Sequence, residues 1–342
     1  MHATNIIIRM PNWIGDFVMA TAALEAVRRA FPQASITLMC QSPLQELVEG
    51  DPRFDEILVF QKEALKLSRR ESRKNTAATL RLGKYDLGFL FTNSFSSAWY
   101  FWQGNVQRRV GYSKHCRSWL LTDRVPYDEK AHQVLAYLQI VEHIVPCGST
   151  FKPHLFLEES DIEAAYHLLE QEGYLRGQYL VGIHPFAAYG QAKCWPAKKF
   201  RKLAEILLED EEICLVFFGG REAHEQAQAL TRGLGPRALN LVGKTSLRSL
   251  CSCIGVCDLF VTNDSGPMHI AAALDRELIA LFGSTNAVKT GPYSKGEVIR
   301  KEVSCAPCYR RVCPIDFRCM ERISVEEVVQ KVREKKQQFF QK

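Results

Sequence analysis

The sequence contains no apolar run approaching the roughly 18 residues that a membrane-spanning helix needs. Its first residues enter the strand pattern Asn5-Ile6-Ile7-Ile8-Arg9 with no secretory signal ahead of it, and together these two absences predict a cytoplasmic protein. Internal repeats and low-complexity stretches are missing as well, which excludes solenoids and biased linkers. The first strand-to-helix turn lacks both G-x-G-x-x-G and the Gly-Lys-Ser/Thr ending of a P-loop, so it supports neither a dinucleotide dehydrogenase nor a P-loop nucleotidase. The second half has no Asp-x-Asp pair to hold a metal–diphosphate. Charge of one sign is also scarce: a net of +6 at 24% charged residues does not force nucleic acid binding.

What is present is a chain of 342 residues, 46% hydrophobic, long enough for two cores. Strand and helix patterns alternate: strands at 6–10 and 35–39, a helical period at 17–31, a short apolar run at 44–48, and further strands at 57–60, 87–91 and 109–111. After a helix over 160–173 the alternation resumes, with strands at 179–184, 213–218, 240–241, 259–262 and 278–282. Helices are predicted at 197–208, 222–230, 247–255, 268–274 and, opened by Ser324 and Glu327, at 324–339. This is α/β grammar for two doubly wound, Rossmann-like domains facing across a cleft at the strands' carboxyl ends. The expected boundaries are 1–155, a linker helix region at 156–178, 179–322, and a C-terminal helix at 323–342.

Five segments carry chemistry. Met10-Pro11-Asn12-Trp13-Ile14-Gly15-Asp16 follows the first strand, and Asp16 at a cleft mouth suits a general base, with helix capping as its structural alternative. In Ala192-Lys193-Cys194-Trp195-Pro196 a lone lysine can neutralise a departing diphosphate and a tryptophan can wall the pocket. Phe218-Gly219-Gly220-Arg221-Glu222 leads to Glu225, and either carboxylate can accept ribose hydroxyls or simply favour a helix N-terminus. Val242-Gly243-Lys244-Thr245 can border an adenine through its backbone. The strand Leu259-Phe260-Val261-Thr262 breaks at Asn263-Asp264-Ser265-Gly266 into a helix containing His269, the pattern of a helix N-terminus that receives phosphate.

Two features stay open at this level. The basic run Lys66-Leu67-Ser68-Arg69-Arg70-Glu71-Ser72-Arg73-Lys74 fits a solvated helix face or a membrane-surface contact. Eight of the twelve cysteines are scattered as small hydrophobes, but Cys305, Cys308, Cys313 and Cys319 form C-x2-C-x4-C-x5-C. That spacing admits a structural metal, a disulfide or a metal-free loop.

Taken together, the five segments, with Asn93-Ser94-Phe95 between them, resemble the lipopolysaccharide heptosyltransferases over nearly the whole length, and are most like the branch that adds the second heptose. The resemblance implies an inverting glycosyltransferase of the B-type fold, with an N-terminal acceptor domain and a C-terminal donor domain. It would move L-glycero-D-manno-heptose from ADP-heptose to the first heptose on Kdo-bearing lipid A, at the cytoplasmic face of the inner membrane, with no cofactor required. Carried over by position, Asp16 is the base and Lys193 the diphosphate partner. Thr245, Glu225, Glu222, Asp264, Ser265, Gly266 and His269 contact the donor. Asn12, Trp13, Asn93 and Ser94 contact the acceptor, joined by the basic residues Arg108, Arg109 and Arg117, which suit its anionic groups. Ser96 replaces a lysine usual in the acceptor loop, and Pro185-Phe186-Ala187 replaces Pro-Gly-Ala beside the donor. The alternatives are the enzyme adding the first heptose to Kdo, a non-catalytic nucleotide- or metal-binding module, and a nucleotide-sugar epimerase.

Overall fold

In the computed structural model, which describes residues 3–60, 69–148 and 150–341, the chain forms two compact units, Met1–Leu155 and Phe156–Lys342. Residues 61–68, which include the start of the basic run, lie outside the described residues.

The first unit holds strands β1 (Asn5–Arg9), β2 (Ser35–Cys40), β3 (Glu56–Val59), β4 (Leu87–Leu90), β5 (Arg108–Tyr112) and β6 (Asp123–Val125), with helices α1 (Ile14–Ala30), α2 (Arg69–Gly83), α3 (Phe95–Gln103) and α4 (Gln133–Glu142). The second holds β7 (Tyr179–His184), β8 (Ile213–Phe217), β9 (Ala238–Asn240), β10 (Leu259–Asn263), β11 (Glu277–Phe282) and β12 (Glu297–Arg300). Its helices are α5 (Glu159–Gln171), α6 (Ala197–Leu207), α7 (His224–Thr231), α8 (Leu247–Gly255), α9 (Gly266–Ala273), α10 (Ala287–Thr290), α11 (Arg318–Glu321) and α12 (Val325–Phe340).

Both sheets are wholly parallel, in the orders β3-β2-β1-β4-β5-β6 and β12-β11-β10-β7-β8-β9. In each, the order in which strands are added reverses once, between β1 and β4 in the first and between β7 and β10 in the second, and the loops after those strands diverge to leave a crevice. Asn12 and Asp16 follow β1, Asn93 and Ser94 follow β4, Lys193 follows β7, and Asp264 and Ser265 follow β10. The apolar runs of β1, β7 and β10 are buried on both faces, as strands sandwiched between helices must be.

The segments expected as a linker and a separate C-terminal helix both belong to the second unit. α5 starts in a capping box between Glu158 and Asp161, and Asp161 also pairs with Arg248 of α8. α12, capped by Ser324 (Glu327 N–H to Oγ, 3.1 Å), sinks Val325, Val328, Val329 and Val332 into the core beneath β7 and β10. In the first unit, the fully buried Asp51–Arg53 pair (2.5 Å) ties neighbouring segments together, Arg53 also donating to the carbonyls of Thr21 and His154.

Candidate active site

In the first unit α1 begins at Ile14, so Asp16 stands in its first turn and is not its cap; Trp13 holds the cap position without a side-chain bond. The Asp16 Oδ1 accepts a hydrogen bond from the Tyr137 hydroxyl at 3.1 Å. Tyr137 comes from α4 and is buried; burial first, and the Asp16 charge second, push its phenol well above the ordinary range, so it stays protonated as a donor. The buried Arg9 gives Nη2 to Asn12 Oδ1 at 2.6 Å. Burial lowers its pKa to about 10, which leaves it charged at neutral pH. Arg9 and Tyr137 escaped the sequence reading. A lone cation closing an Ile-Ile-Ile strand was the available signal for Arg9; for Tyr137 it was a single aromatic on an otherwise aliphatic helix.

Three residues expected to contact the acceptor do not stand where that role requires. Arg117 is fully buried and spends its guanidinium on the carbonyls of Tyr112 (2.9 Å) and Thr92 and on Asn93 Oδ1 (3.2 Å). It shapes the loop after β4 from within. Arg108 and Arg109 begin β5, level with Leu87 and Gly88 at the amino end of β4, at the opposite edge of the sheet from Asp16. There Arg108 pairs with Asp123, and Arg109 donates to the carbonyls of Leu120 (2.6 Å) and Val106 (2.7 Å). The Ser94 hydroxyl caps α3 through the Ser97 N–H (3.3 Å). Trp13 and Asn12 are exposed, and Asn93 is half-buried.

The second unit gathers its candidates more tightly. Lys193 Nζ lies 2.6 Å from the buried Asp264 carboxylate, which also accepts from the Thr285 hydroxyl. The ammonium sits over the Tyr189 ring, 5.0 Å from its centroid. Ser265 occupies the N-cap of α9 but makes no capping bond; its hydroxyl is 3.1 Å from Thr262 Oγ1 and 3.2 Å from His184 Nδ1. The N–H of Gly266 therefore begins α9 without a side-chain partner from its cap, an arrangement that favours an anion. Burial holds His184 down to about 4, so it is neutral at physiological pH. Buried polar atoms without a partner cluster here as well: Asn263 Nδ2 and Ser284 Oγ. The other Asn263 atom, Oδ1, accepts the Trp195 N–H at 2.8 Å, and Trp195, fully buried, anchors the loop that carries Lys193. His269 is buried in α9, while Glu222 lies in the turn after β8, Glu225 in the first turn of α7 and Thr245 in the loop after β9, both glutamates exposed. Phe186 packs over Gly219, where a Cβ would come within 2.6 Å of its ring. The substituted Pro-Phe-Ala thus fills space that glycine leaves open. Thr285, Tyr189 and His184 were missed as site residues; Gly283-Ser284-Thr285 after β11 was the readable signal for the first.

The four-cysteine segment does not gather a metal set. Among the described residues no group of three or more His, Cys, Asp or Glu is arranged to hold an ion, and all four thiols are free. Cys319 is buried and Cys308 exposed, each fixed by its own backbone surroundings; the Cys308 N–H donates to the Ser284 carbonyl at 3.0 Å. The loop instead braces the Lys193 segment. Tyr189 Oη donates to the Tyr309 carbonyl (2.7 Å), the Ala192 N–H donates to the Arg311 carbonyl (2.9 Å), and Gly190, at φ +151, admits the Arg311 backbone where any Cβ would collide.

Residues 73–317 match glycosyltransferase family 9 (heptosyltransferase). The chain is 30% identical to lipooligosaccharide heptosyltransferase 2 of Campylobacter jejuni serotype O:6 over 96% of its own length and 98% of that protein's. It is 30% identical to lipopolysaccharide heptosyltransferase 2 of Escherichia coli K12, over 86% of this chain and 87% of the relative. Among solved structures, the ADP-heptose heptosyltransferase II of E. coli superposes with a TM-score of 0.83 at 25% identity, covering 98% of this chain and 99% of that one.

Proposed function

This chain belongs to glycosyltransferase family 9, the heptosyltransferases, and from that membership we propose that it transfers L-glycero-D-manno-heptose from ADP-heptose to the first heptose of the Kdo–lipid A inner core. It is a glycosyltransferase with the B-type fold. The first unit is assigned the acceptor and the second the donor. The observation that carries the reading is the Lys193–Asp264–Thr285 cluster at the switch point of the second sheet, beside the open start of α9.

The proposed chemistry is a single in-line displacement. The acceptor hydroxyl oxygen attacks the anomeric carbon as the bond from that carbon to the diphosphate oxygen breaks, inverting the centre and releasing ADP. Asp16 takes the hydroxyl proton, while Tyr137 donates to one of its carboxylate oxygens and so orients the carboxylate. Lys193 has three N–H donors; one points to Asp264 and the others serve the departing diphosphate, together with the α9 N–H groups. Asp264 thereby holds the ammonium in place before the charge develops. His184 stays neutral and orients Ser265 toward the same anion. Glu222 or Glu225 is assigned the ribose, Thr245 the adenine side, and Asn12, Trp13 and Asn93 the acceptor. The acceptor is lipid-borne, so the protein is assigned to the cytoplasmic membrane face; no helix among the described residues is long and apolar enough to cross a membrane.

The test is ADP release from ADP-heptose with heptosyl-Kdo2-lipid A, in EDTA, for the native chain and Asp16→Ala. Acceptor-dependent release that persists in EDTA and drops by about 10²-fold or more in the variant is expected. Release with Kdo2-lipid A in place of the heptosylated acceptor would reassign the enzyme to the first transfer. No release with either acceptor, from a folded chain that binds ADP, would refute the reading.

A further inference from the structure

Three large aromatic side chains stand together on the outside of the first unit. Phe95 and Trp102 lie two turns apart on α3, about 10 Å along its axis, and Trp119 from the turn Ser118–Leu120 bridges them, with ring centroids 6.1 Å and 6.0 Å away. They are 42%, 41% and 61% exposed respectively. The far side of α3 is already spent on the core through Tyr100 and Phe101, so packing within the unit gives no reason for this second apolar face.

The exposed side chains described on its flanks include several cations. α2 runs beside α3, joined at their ends by the Arg81 Nε bond to the Gln103 carbonyl (2.8 Å), and presents Lys74 and Arg81 to solvent, with Lys84 just beyond. On the other flank exposed Arg124 donates to the Ser118 carbonyl at 3.0 Å, next to Trp119. Residues 74–85 and 95–103 contain no acid. Glu71 precedes Lys74 on the same helix; beyond these segments Asp86 accepts from Thr4 and Asn5, and Asp123 from Arg108 and Thr122. Indole rings rimmed by cations match the headgroup boundary of an anionic bilayer, where tryptophan partitions and each lysine or arginine contributes about fivefold in binding.

We propose that the Phe95–Trp102–Trp119 face, with Lys74, Arg81, Lys84 and Arg124, seats the protein on an anionic lipid surface. The proposal rests on the reading of a lipid-borne acceptor. It gives α3 two roles: its first residue follows the loop assigned to the acceptor glycan, and its outer face meets the lipid from which that glycan projects.

The experiment compares the native chain with Trp102→Gln/Trp119→Gln on vesicles of phosphatidylethanolamine and phosphatidylglycerol in equal parts, and on phosphatidylcholine alone. Co-sedimentation and tryptophan emission are the readouts. Native protein is expected to bind the anionic vesicles with a blue shift, to release them at high salt, and to bind phosphatidylcholine weakly. The double variant should lose about tenfold or more in partitioning yet keep native turnover of a delipidated, water-soluble acceptor, which shows that it is folded. Equal partitioning of variant and native chain overturns the proposal. So does a native dimer that the variant abolishes, since a second copy would then be the occupant. Vesicle binding without heptosyl transfer would defeat the functional reading alone, and transfer to soluble acceptor without vesicle binding would defeat this inference alone.

Discussion

Replacing Lys193 by methionine keeps most of the aliphatic stem and removes only the charge, so the cost is electrostatic. Asp264 is left with 4% of its side chain exposed and the Thr285 hydroxyl as its named donor. Stranding one member of a buried pair costs about 3–5 kcal/mol, and the remaining hydroxyl bond offsets about 1 kcal/mol. A net loss of roughly 2–4 kcal/mol corresponds, in a unit of this size, to a fall in Tm of about 5–15 °C. Adding Asp264→Asn removes the stranded charge and keeps an acceptor for Thr285, so the double variant should recover most of the melting temperature. Turnover should not recover, because the cation that meets the leaving group is gone; a loss of about 10²–10³-fold is expected in both variants. Thermal melts of the two variants, alongside ADP release, check this. If Lys193→Met melts with the native chain, the pair does not stabilise the fold; if the double variant regains turnover, Lys193 is not the diphosphate partner.

Tyr137→Phe removes one hydrogen bond to Asp16 without opening a cavity, and should lower kcat about three- to tenfold while the donor KM stays constant. Arg117→Ala should cost about 3 kcal/mol of stability by leaving buried carbonyls unpaired, whereas Arg108→Ala should leave the acceptor KM unchanged. A change in that KM would return Arg108 to the acceptor site. His184 gives a pH signature: its folded pKa lies at about 4, below the ordinary 6.5. The unfolded chain therefore takes up a proton first. Its contribution is complete above pH 6.5 and is lost as pH falls toward 4, by up to about 3 kcal/mol. Urea titrations of His184→Asn should show a flatter dependence across that window.

Alternation of pattern made both sheets legible, because Ile6-Ile7-Ile8 and Leu259-Phe260-Val261 are runs that only a doubly covered parallel strand tolerates. The short β6 and β12 and the helices α3 and α4 were not read. In α3 the sequence Phe95-Ser96-Ser97-Ala98-Trp99-Tyr100-Phe101-Trp102 is apolar on more than one side, which hides the helical period. Loops after strands showed Asp16, Lys193 and Asp264, since each departs from the local pattern of its strand. Arg108 and Arg109 misled for a geometric reason: a strand's first residues and the loop beyond its last lie at opposite edges of a sheet, and composition does not say which edge a cation occupies. The cysteine spacing left a metal, a disulfide and a metal-free loop open; its backbone, through the Tyr309 and Arg311 carbonyls, supports the Lys193 loop, which spacing alone does not reveal.

The polypeptide passes from one unit to the other once, between Leu155 and Phe156, and each sheet draws its strands from a single uninterrupted half of the chain. A genetic crossover at that junction would exchange an entire half without severing a strand pairing or splitting a core. Under the proposed division of labour, the recipient glycan can then change by recombination while the nucleotide-sugar half is inherited intact, so new core structures are open to a lineage without the donor chemistry being rebuilt.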